Sequence, residues 1–365
     1  MESNTASYIP VLRSYETRIG EVDWENLELG LYTADHMLIC DYAAGAWQGP
    51  EIIPFGAFSL LPTTLAFHYG QTIFEGLKAF RTEDGRVQIF RPDKHHERLV
   101  RSARRLCMPV VSQEIFIEGL TRLVALDKDW VPGQEGSALY IRPFQIAVDT
   151  KLAVKVSESY RFAIVCLPAG PYFARPVRVK VEREYTRAGK GGTGSAKCGG
   201  NYGGALYPTQ KAKEEGYDQV LWTDGQNHDY IEESGMMNVF FVIDGVLVTP
   251  PLSDSILDGV TRDSLITLAV DAGIPVEERP VGVDMLRDAF EKGRVQEAFG
   301  AGTAAVISPI RAIGIDGKDY VLPVTGYTSG AVGQASVGAS LKEKLDAIRY
   351  GRISDPYGWN FYVND

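Results

Sequence analysis

Short apolar runs separated by turn residues fill the first part of the chain. Between Glu21 and Phe90, runs such as His36–Cys40 and Leu77–Arg81 alternate with polar turn residues. This pattern predicts a meander of antiparallel strands. Helical periodicity follows over Pro92–Leu106 and again over Ser112–Asp127, so we expect two helices to cover that sheet.

A cluster of prolines marks the middle of the chain. Strand patterns resume at Ala138–Arg142 and at Tyr160–Leu167, and prolines 168, 171 and 176 then interrupt any regular element. We place a domain boundary there. The prediction is a small N-terminal domain over residues 1–171, an interdomain linker over 172–182 and a large C-terminal domain over 183–365.

The second half mixes helix and strand patterns. A helix is expected over Ala205–Glu215, and Val239–Ile243 and Val246–Val248 form a hairpin through the turn Asp244-Gly245. Further helices are expected over Thr261–Asp271 and around Leu341–Tyr350. Both halves therefore belong to a mixed α/β (α+β) class.

Composition restricts the classes of function. Hydrophobic residues make up 45% of the chain and charged residues 23%, and the mean hydropathy of -0.10 is that of an ordinary globular protein. Acidic residues outnumber basic ones 47 to 37, and the formal charge of -10 disfavours nucleic acid and anionic lipid as partners. No apolar run approaches the roughly 20 residues that a membrane-spanning helix needs. The polar amino terminus predicts a cytoplasmic protein.

Cysteine and histidine spacing predicts neither disulfides nor a metal site. Cys40, Cys107, Cys166 and Cys198 lie far apart with no CxxC spacing, and the 5 histidines form no metal-binding pattern. We expect reduced thiols and no bound metal.

A glycine-rich segment, Lys190–Gly204, is the most informative part of the sequence. Such density indicates either a mobile loop with solvated lysines or a backbone that approaches a ligand closely. The segment holds Lys197 and Tyr202 five residues apart, where both can face one cavity. A lysine amine in a dehydrated site has a lowered pKa and can attack an aldehyde to form a Schiff base.

Four other clusters have both a structural and a chemical interpretation. The acidic pair Glu232 and Glu233 is either an exposed turn or a carboxylate aimed at a heteroaromatic nitrogen. The segment Asp258–Ser264 is either a helix start capped by Thr261 or Asp258, or a phosphate site.

The loop Phe299–Ala305 offers free amides or is an ordinary turn. The run Arg98, Arg101, Arg104 and Arg105 is a solvated helix face unless one arginine meets an anion.

Five motifs, taken together, indicate a protein family more specifically than any one of them does alone. They are Phe67–Gly76, Phe90–Pro92, Lys197–Tyr202, Gly259–Arg262 and Gly302–Ala304, in this order. The chain resembles the branched-chain amino acid aminotransferases, in the fold-type IV class of pyridoxal-phosphate enzymes, from about Leu29 to Gly351. The resemblance implies a small open α/β domain, a larger barrel-like α/β domain, pyridoxal 5'-phosphate between them, and a homodimer.

The resemblance also implies site residues. Lys197 matches the catalytic Schiff-base lysine, Tyr202 the tyrosine near the cofactor's phenolic oxygen, and Glu233 the carboxylate on the pyridine nitrogen, with Glu232 as its rival. The implied cofactor-binding residues are Arg98, Lys197, Tyr202, Glu233, Val260, Thr261 and Thr303. The implied substrate-binding residues are Leu29, Tyr69, Phe74, Tyr140, Arg142, Leu152, Val154, Thr303 and Ala304, with Leu152 and Val154 reaching in from the partner subunit.

The implied reaction is transamination of L-leucine, L-isoleucine and L-valine with 2-oxoglutarate, in the biosynthesis or degradation of branched-chain amino acids. Lys197 would anchor the cofactor and move the substrate proton, and Arg142 is a candidate partner for the second carboxylate of the acceptor. Ala305 and Ser308 replace a redox CxxC of some relatives, so no thiol switch is expected there. Met236 replaces a threonine found near the substrate in some relatives, so the resemblance leaves the fine substrate preference open.

Two alternatives remain at this point. A D-amino acid or amine transaminase would use the same cofactor residues with another pocket orientation. A non-catalytic protein that binds a phosphorylated ligand would use the same phosphate contacts, but it would have no need of an amine in the glycine-rich loop.

Overall fold

The computed structural model describes residues 9–171, 175–324 and 336–363. The chain forms two compact units. Unit 1 takes the chain up to Gly170 and again from Asp355, and unit 2 is Pro171–Ser354. The predicted C-terminal domain is therefore wrong at its end, because the last residues return to unit 1.

The predicted linker over 172–182 is also wrong where it is described. Residues 172–174 of it lie outside the described residues, as do the polar residues 1–8. The rest includes a strand, Val177–Val181, in which buried valines alternate with half-buried Arg178 and Lys180. This period of two is a strand pattern that the preceding prolines obscured.

Helices and strands alternate along both units. The α-helices of the described residues are α1 (Leu65–Tyr69), α2 (Pro92–Arg105), α3 (Gln113–Leu126), α4 (Gly199–Glu214), α5 (Val260–Asp271), α6 (Val283–Glu291) and α7 (Val337–Arg349). The strands are β1 (His36–Ala43), β2 (Ala46–Trp47), β3 (Glu51–Pro54), β4 (Thr72–Phe74), β5 (Leu77–Arg81), β6 (Val87–Phe90), β7 (Ala138–Ala147), β8 (Tyr160–Ala169), β9 (Val177–Val181), β10 (Gln219–Thr223), β11 (Tyr230–Ser234), β12 (Met237–Ile243), β13 (Val246–Thr249), β14 (Val276–Glu278), β15 (Val281–Gly282), β16 (Val295–Gly302), β17 (Val306–Ile315), β18 (Lys318–Val321) and β19 (Asn360–Tyr362). Over the ranges given above, none of these helices is long and apolar enough to cross a membrane.

Unit 1 is an antiparallel sheet covered by helices. Its strands run in the order β19-β6-β5-β7-β8-β1-β2, with β3 paired to β1 and β4 to β7. Helices α2 and α3 pack against each other, and α3 also contacts β1. The buried face of α3 includes Phe116, Leu120 and Leu123, which is the apolar stripe that its sequence predicts.

Unit 2 contains a closed barrel. The pairings β12-β16-β17-β9-β10-β11 return to β12, so six strands form a ring. Apolar side chains from these strands, including Val179, Leu221 and Phe241, form one buried cluster. The hairpin turn between β12 and β13 has positive φ at both Asp244 and Gly245, as the sequence predicts.

Helix α4 begins six residues earlier than predicted, inside the glycine-rich segment. Glycine has a low helix propensity, so the pattern alone placed the start at Ala205. Tertiary hydrogen bonds compensate, because Asn201 Nδ2 donates to Thr193 O at 2.8 Å and to Ala196 O at 2.9 Å. The structure thereby fixes the chain that leads into the helix.

Candidate active site

Lys197 lies in the middle of the glycine-rich segment, two residues before α4 begins at Gly199. Its Nζ donates a hydrogen bond to the Tyr202 hydroxyl at 2.9 Å. The amine also lies 5.6 Å from the centre of the Tyr202 ring. The two residues that the sequence placed five positions apart are therefore in contact. Lys190, the other lysine of the segment, is exposed.

The glycine-rich segment is anchored rather than free. Ser195 N donates to Asp254 O at 2.8 Å, and Arg187 Nη2 donates to Gly194 O at 3.1 Å. A Cβ on Gly194 would overlap the backbone of Ser255, so only glycine allows this approach. The interpretation as a mobile loop is wrong for this part of the segment.

Glu233 is a buried carboxylate on β11, with 2% of its surface exposed. Its Oε1 accepts a hydrogen bond from Leu257 N at 2.6 Å, and its Oε2 lies 3.1 Å from Arg187 Nε. Burial raises the pKa of Glu233, and the charges of Arg187 and Lys197 oppose that rise. A protonatable carboxyl group thus lies within the electrostatic reach of the Lys197 amine.

Glu232 is buried as well, with 8% of its surface exposed. The interpretation of the acidic pair as an exposed turn is therefore wrong. The segment between β13 and α5 contacts both side chains, since Ser255 Oγ donates to Glu232 while Leu257 N donates to Glu233. Burial raises the pKa of Glu232, and its Oε2 has no hydrogen-bond partner among the described residues.

The amino terminus of α5 carries no side-chain cap. Its N-cap is Gly259, so neither Thr261 nor Asp258 occupies the N-cap position that the structural interpretation required. Val260 and Thr261, the first two residues of the helix, are buried. Their amides and the helix dipole form a site suited to an anion.

Thr303 and Ala304 lie in the turn between β16 and β17. Strand register connects this turn to the acidic pair, because Asn238 pairs with both Glu233 on β11 and Ala301 on β16. The loop that the sequence singled out is thus the end of a hairpin in the barrel wall.

Three of the predicted substrate residues of unit 1 are in contact. Arg142 Nη2 donates to the Tyr140 hydroxyl at 3.0 Å, and the guanidinium carbon lies 4.7 Å from the centre of the Phe74 ring. A Cβ on Gly76 would overlap that hydroxyl, so glycine makes room for it. Arg142 Nε is buried and has no hydrogen-bond partner among the described residues.

The other predicted apolar residues are more open. Leu29 is half-buried in a turn, and Tyr69, at the end of α1, is 45% exposed. Leu152 is 53% exposed and Val154 87% exposed. The contacts around Arg142 described above do not involve these four side chains.

Arg98 is the inward-facing arginine of the basic run. It is 3% exposed, while Arg101, Arg104 and Arg105 lie on the solvent side of α2. Its guanidinium binds the buried carboxylate of Glu75. The solvated-face interpretation therefore holds for three of these four arginines.

Sequence reasoning gave no role to Arg187, Glu75 or Ser255. Arg187 contacts the glycine-rich segment and Glu233, and Glu75 binds Arg98. Two of these residues could have been found from their position in the sequence, because each is a charged residue in or next to a recognised motif. Arg187 borders the glycine-rich segment, and Glu75 lies within Phe67–Gly76. In the part of the chain that the structure describes, no group of three or more His, Cys, Asp or Glu side chains could hold a metal ion.

Comparisons with known proteins agree with one another. Residues 72–313 match the family described as amino-transferase class IV. Branched-chain-amino-acid transaminase 1 of Bacillus subtilis (strain 168) is 46% identical over 346 residues, which cover 93% of this chain and 95% of the relative.

Two solved structures show the same architecture. The branched-chain aminotransferase of Thermoproteus uzoniensis with norvaline has a TM-score of 0.72 and 26% identity, covering 90% of this chain and 100% of that one. The T.th. branched-chain amino acid aminotransferase complexed with N-(5'-phosphopyridoxyl)-L-glutamate has a TM-score of 0.69 and 26% identity, covering 89% of this chain and 98% of that one. These matches confirm the predicted fold class, with its barrel-like sheet.

Proposed function

The chain belongs to the class IV aminotransferases, and from this premise we propose that Lys197 is the catalytic residue of a pyridoxal-phosphate-dependent branched-chain-amino-acid transaminase. The amino donors are L-leucine, L-isoleucine and L-valine. The single observation that supports the assignment of Lys197 is its 2.9 Å hydrogen bond to Tyr202. When bound, pyridoxal 5'-phosphate supplies an electron-accepting ring that allows the α-carbon of an amino acid to lose its proton.

The residues of unit 2 fit the chemical groups of this cofactor. The aldehyde of the cofactor requires an amine, and its phenolic oxygen requires a hydroxyl group that donates a hydrogen bond. Its pyridine nitrogen requires a carboxyl group, and its phosphate requires backbone amides that can donate hydrogen bonds. Lys197, Tyr202 and Glu233 provide the first three. The uncapped start of α5 at Val260 and Thr261 provides the fourth.

Lys197 anchors the cofactor and, once released, moves a proton from the substrate α-carbon. Tyr202 accepts a hydrogen bond from the amine and thereby fixes its position. Because the glycine-rich segment is tied to Asp254 and Arg187, the amine stays in place when its covalent bond opens. Positioning of this kind lowers the entropic part of the barrier.

Glu233 holds a proton at the pyridine nitrogen. Burial raises its pKa while the charges of Arg187 and Lys197 favour the ionised form, and a pyridinium would be a further cation that favours it. Leu257 N donates to Oε1, and Arg187 Nε lies 3.1 Å from Oε2.

From the resemblance to the family, we assign Val260, Thr261, Thr303 and Arg98 as the residues that would bind the phosphate. An uncapped helix terminus and an arginine are both common phosphate ligands. The Val260 and Thr261 amides are supported by the missing cap, and Arg98 by its being the buried arginine of the run on α2.

We assign substrate contacts to Phe74, Tyr140, Arg142, Thr303 and Ala304. The Phe74 ring supplies an apolar wall, and the unpaired buried Nε of Arg142 is available to a carboxylate. We assign 2-oxoglutarate as the acceptor, since the T.th. relative holds a phosphopyridoxyl derivative of L-glutamate. Arg142 then binds its second carboxylate.

We further propose a homodimer in which Leu152 and Val154 enter the partner's pocket next to Leu29 and Tyr69. The exposed fractions of Leu152 and Val154, 53% and 87%, support a contact that a single chain does not provide.

We propose a cytoplasmic location and a role in branched-chain amino acid biosynthesis. Among the described residues all four cysteines are free, which agrees with a reducing compartment.

Borohydride reduction of the purified yellow protein tests the assignment of Lys197. The reduced cofactor should be found on the peptide that contains Lys197, because reduction makes the link permanent. Lys197→Ala should lose the label and nearly all transamination, while the matched variant Lys190→Ala, which alters an exposed lysine of the same segment, should keep both. A label on Lys190 would overturn the assignment, and transamination of D-leucine in preference to L-leucine would overturn the substrate class.

A further inference from the structure

Two buried polar side chains, Glu75 and His95, contact the guanidinium of Arg98. Glu75 has no exposed surface, and His95 and Arg98 are 1% and 3% exposed. Arg98 Nε donates to Glu75 Oε1 at 2.8 Å, and Arg98 Nη2 donates to Glu75 Oε2 at 2.7 Å. His95 Nδ1 lies 2.7 Å from the same Oε2. The carboxylate thus binds one edge of the guanidinium in a bidentate pair.

The charges of this group are balanced within unit 1. Burial alone would raise the pKa of Glu75, but the Arg98 charge, with hydrogen bonds from Arg98 and His95, outweighs burial and lowers it. Glu75 is therefore ionised at neutral pH and only accepts hydrogen bonds. It follows that His95 Nδ1 carries a hydrogen and donates it.

This arrangement restricts the orientation of Arg98. A guanidinium has five N–H groups in one plane, and Glu75 uses two of them, on the edge formed by Nε and Nη2. Glu75 comes from the chain between β4 and β5, and Arg98 and His95 come from α2, so two elements fix that plane. The other three N–H groups, on Nη1 and Nη2, then have a defined direction. Recognition of a phosphate by arginine depends on such planar geometry.

We propose that Glu75 is a positioning residue for the cofactor: with His95 it holds the plane of Arg98 so that the guanidinium binds the phosphate. The inference rests on the proposed role of Arg98 as a phosphate ligand. Glu75 itself contacts Arg98 and His95, and it acts on the phosphate through them.

The charge of Glu75 and the position of its carboxylate have opposite effects on phosphate binding by Arg98, so the variant must change only one of them. Removing the negative charge would strengthen the attraction between Arg98 and a phosphate, whereas moving the carboxylate would only release the guanidinium plane. Glu75→Asp keeps the charge and shortens the side chain by one methylene. It is therefore the variant that isolates positioning.

The experiment measures binding of pyridoxal 5'-phosphate and of pyridoxal to the full-length protein after its cofactor has been removed. The ratio of the two dissociation constants reports the phosphate contacts alone, because the ring and the aldehyde are common to both compounds. Glu75→Asp should weaken binding of pyridoxal 5'-phosphate by about tenfold or more, the equivalent of one charged hydrogen bond. Its binding of pyridoxal should stay close to that of the wild type.

A matched control separates this effect from general loss of stability. Asp127, 3% exposed, pairs with His36 Nδ1 at 2.6 Å elsewhere in unit 1. Asp127→Glu changes the length of a buried carboxylate side chain by one methylene in the opposite sense, again in a carboxylate–histidine pair, and it should leave the ratio unchanged. A purely structural role of Glu75 would weaken the binding of both compounds together, which would overturn the proposal.

Arg98→Met distinguishes failure of this inference from failure of the proposed function. If Arg98→Met leaves the ratio unchanged, Arg98 is not a phosphate ligand and both fail. If Arg98→Met lowers the preference for the phosphorylated compound and Glu75→Asp does not, only the role of Glu75 is overturned. If Arg98→Met and Glu75→Asp both lower the preference for the phosphorylated compound, the double variant should show no lower preference than Arg98→Met alone. Should Glu75→Asp not fold, His95→Asn replaces it, and an unchanged ratio in that variant overturns the proposal.

Discussion

Replacing Glu233 by glutamine changes one atom of the proposed pyridine-binding group. The amide oxygen can still accept the hydrogen bond from Leu257 N, which lies 2.6 Å from the present Oε1. The amide nitrogen would take the place of Oε2, 3.1 Å from Arg187 Nε, so two donors would face each other. The variant keeps the shape of the side chain but has no negative charge to offer a pyridinium.

The size of the effect follows from the interaction lost. A hydrogen bond to a charged partner contributes about 1.5–3 kcal/mol. Since 1.36 kcal/mol corresponds to a factor of ten in rate, kcat/KM for L-leucine should fall by about ten- to a hundredfold at least. Burial of Glu233 places the expected loss toward the upper end, because water cannot replace the missing charge.

Glu232→Gln is the matched control, since it makes the same change at the neighbouring buried carboxylate. Glutamine there can still accept the hydrogen bond from Ser255 Oγ, and no cofactor contact is assigned to it. The assay follows single-turnover conversion of the bound cofactor by its absorbance, together with cofactor occupancy. Equal losses in the two variants would refute the assignment of Glu233, and a larger loss in Glu232→Gln would reverse it.

Three further predictions concern specificity and stability. Arg142→Met should slow the half-reaction with glutamate more than the half-reaction with leucine in single-turnover spectra, and equal losses would assign Arg142 to the shared α-carboxylate instead. Gly194→Ala should lower the free energy of unfolding by about 1–3 kcal/mol in chemical denaturation, because its Cβ would overlap a neighbouring backbone, whereas Gly200→Ala, whose Cβ meets open space in α4, should not. The pKa of Glu75 is lowered from 4.5 in the folded state, so its pairing with Arg98 stabilises the protein above that pH and is lost as the pH falls. The free energy of unfolding of the wild type should therefore drop more steeply below pH 4.5 than that of Glu75→Gln, and parallel curves would contradict this.

The periodicity of apolar residues and the turn residues predicted many of the helices and strands, because these elements depend mainly on residues that are close in the sequence. The bounds of β5 agree with its prediction, and α2 and α3 differ from theirs by one residue at most at each end. The return of Asn360–Tyr362 to unit 1 depends on a pairing with β6 across most of the chain, which no local pattern reports. The early start of α4 depends on hydrogen bonds from Asn201, which override glycine's low helix propensity.

For the candidate site, the spacing of residues along the chain predicted fewer site residues than the five family motifs did. The five-residue spacing of Lys197 and Tyr202 correctly suggested that they face one another. Adjacent residues of a strand point to opposite sides, yet Glu233 is buried and so is Glu232. Its burial depends on the segment before α5, whose position the sequence does not reveal. The pairing of Glu75 with Arg98 likewise joins residues 23 positions apart in a way that only the folded sheet and helix produce.

The pairing of β19 with β6 also has a consequence for the order of events during protein synthesis. The edge strand β6, which leads into α2, is completed by Asn360–Tyr362, and Arg91 N donates to Trp359 O at 2.7 Å. At about 5–20 residues per second, the ribosome needs on the order of ten to forty seconds to make unit 2 before these residues exist. Throughout that interval a nascent unit 1 has an unpaired edge at β6, the kind of surface on which chains aggregate. Chaperone capacity and translation speed should therefore affect the yield of this protein more than the stability of its finished fold would suggest.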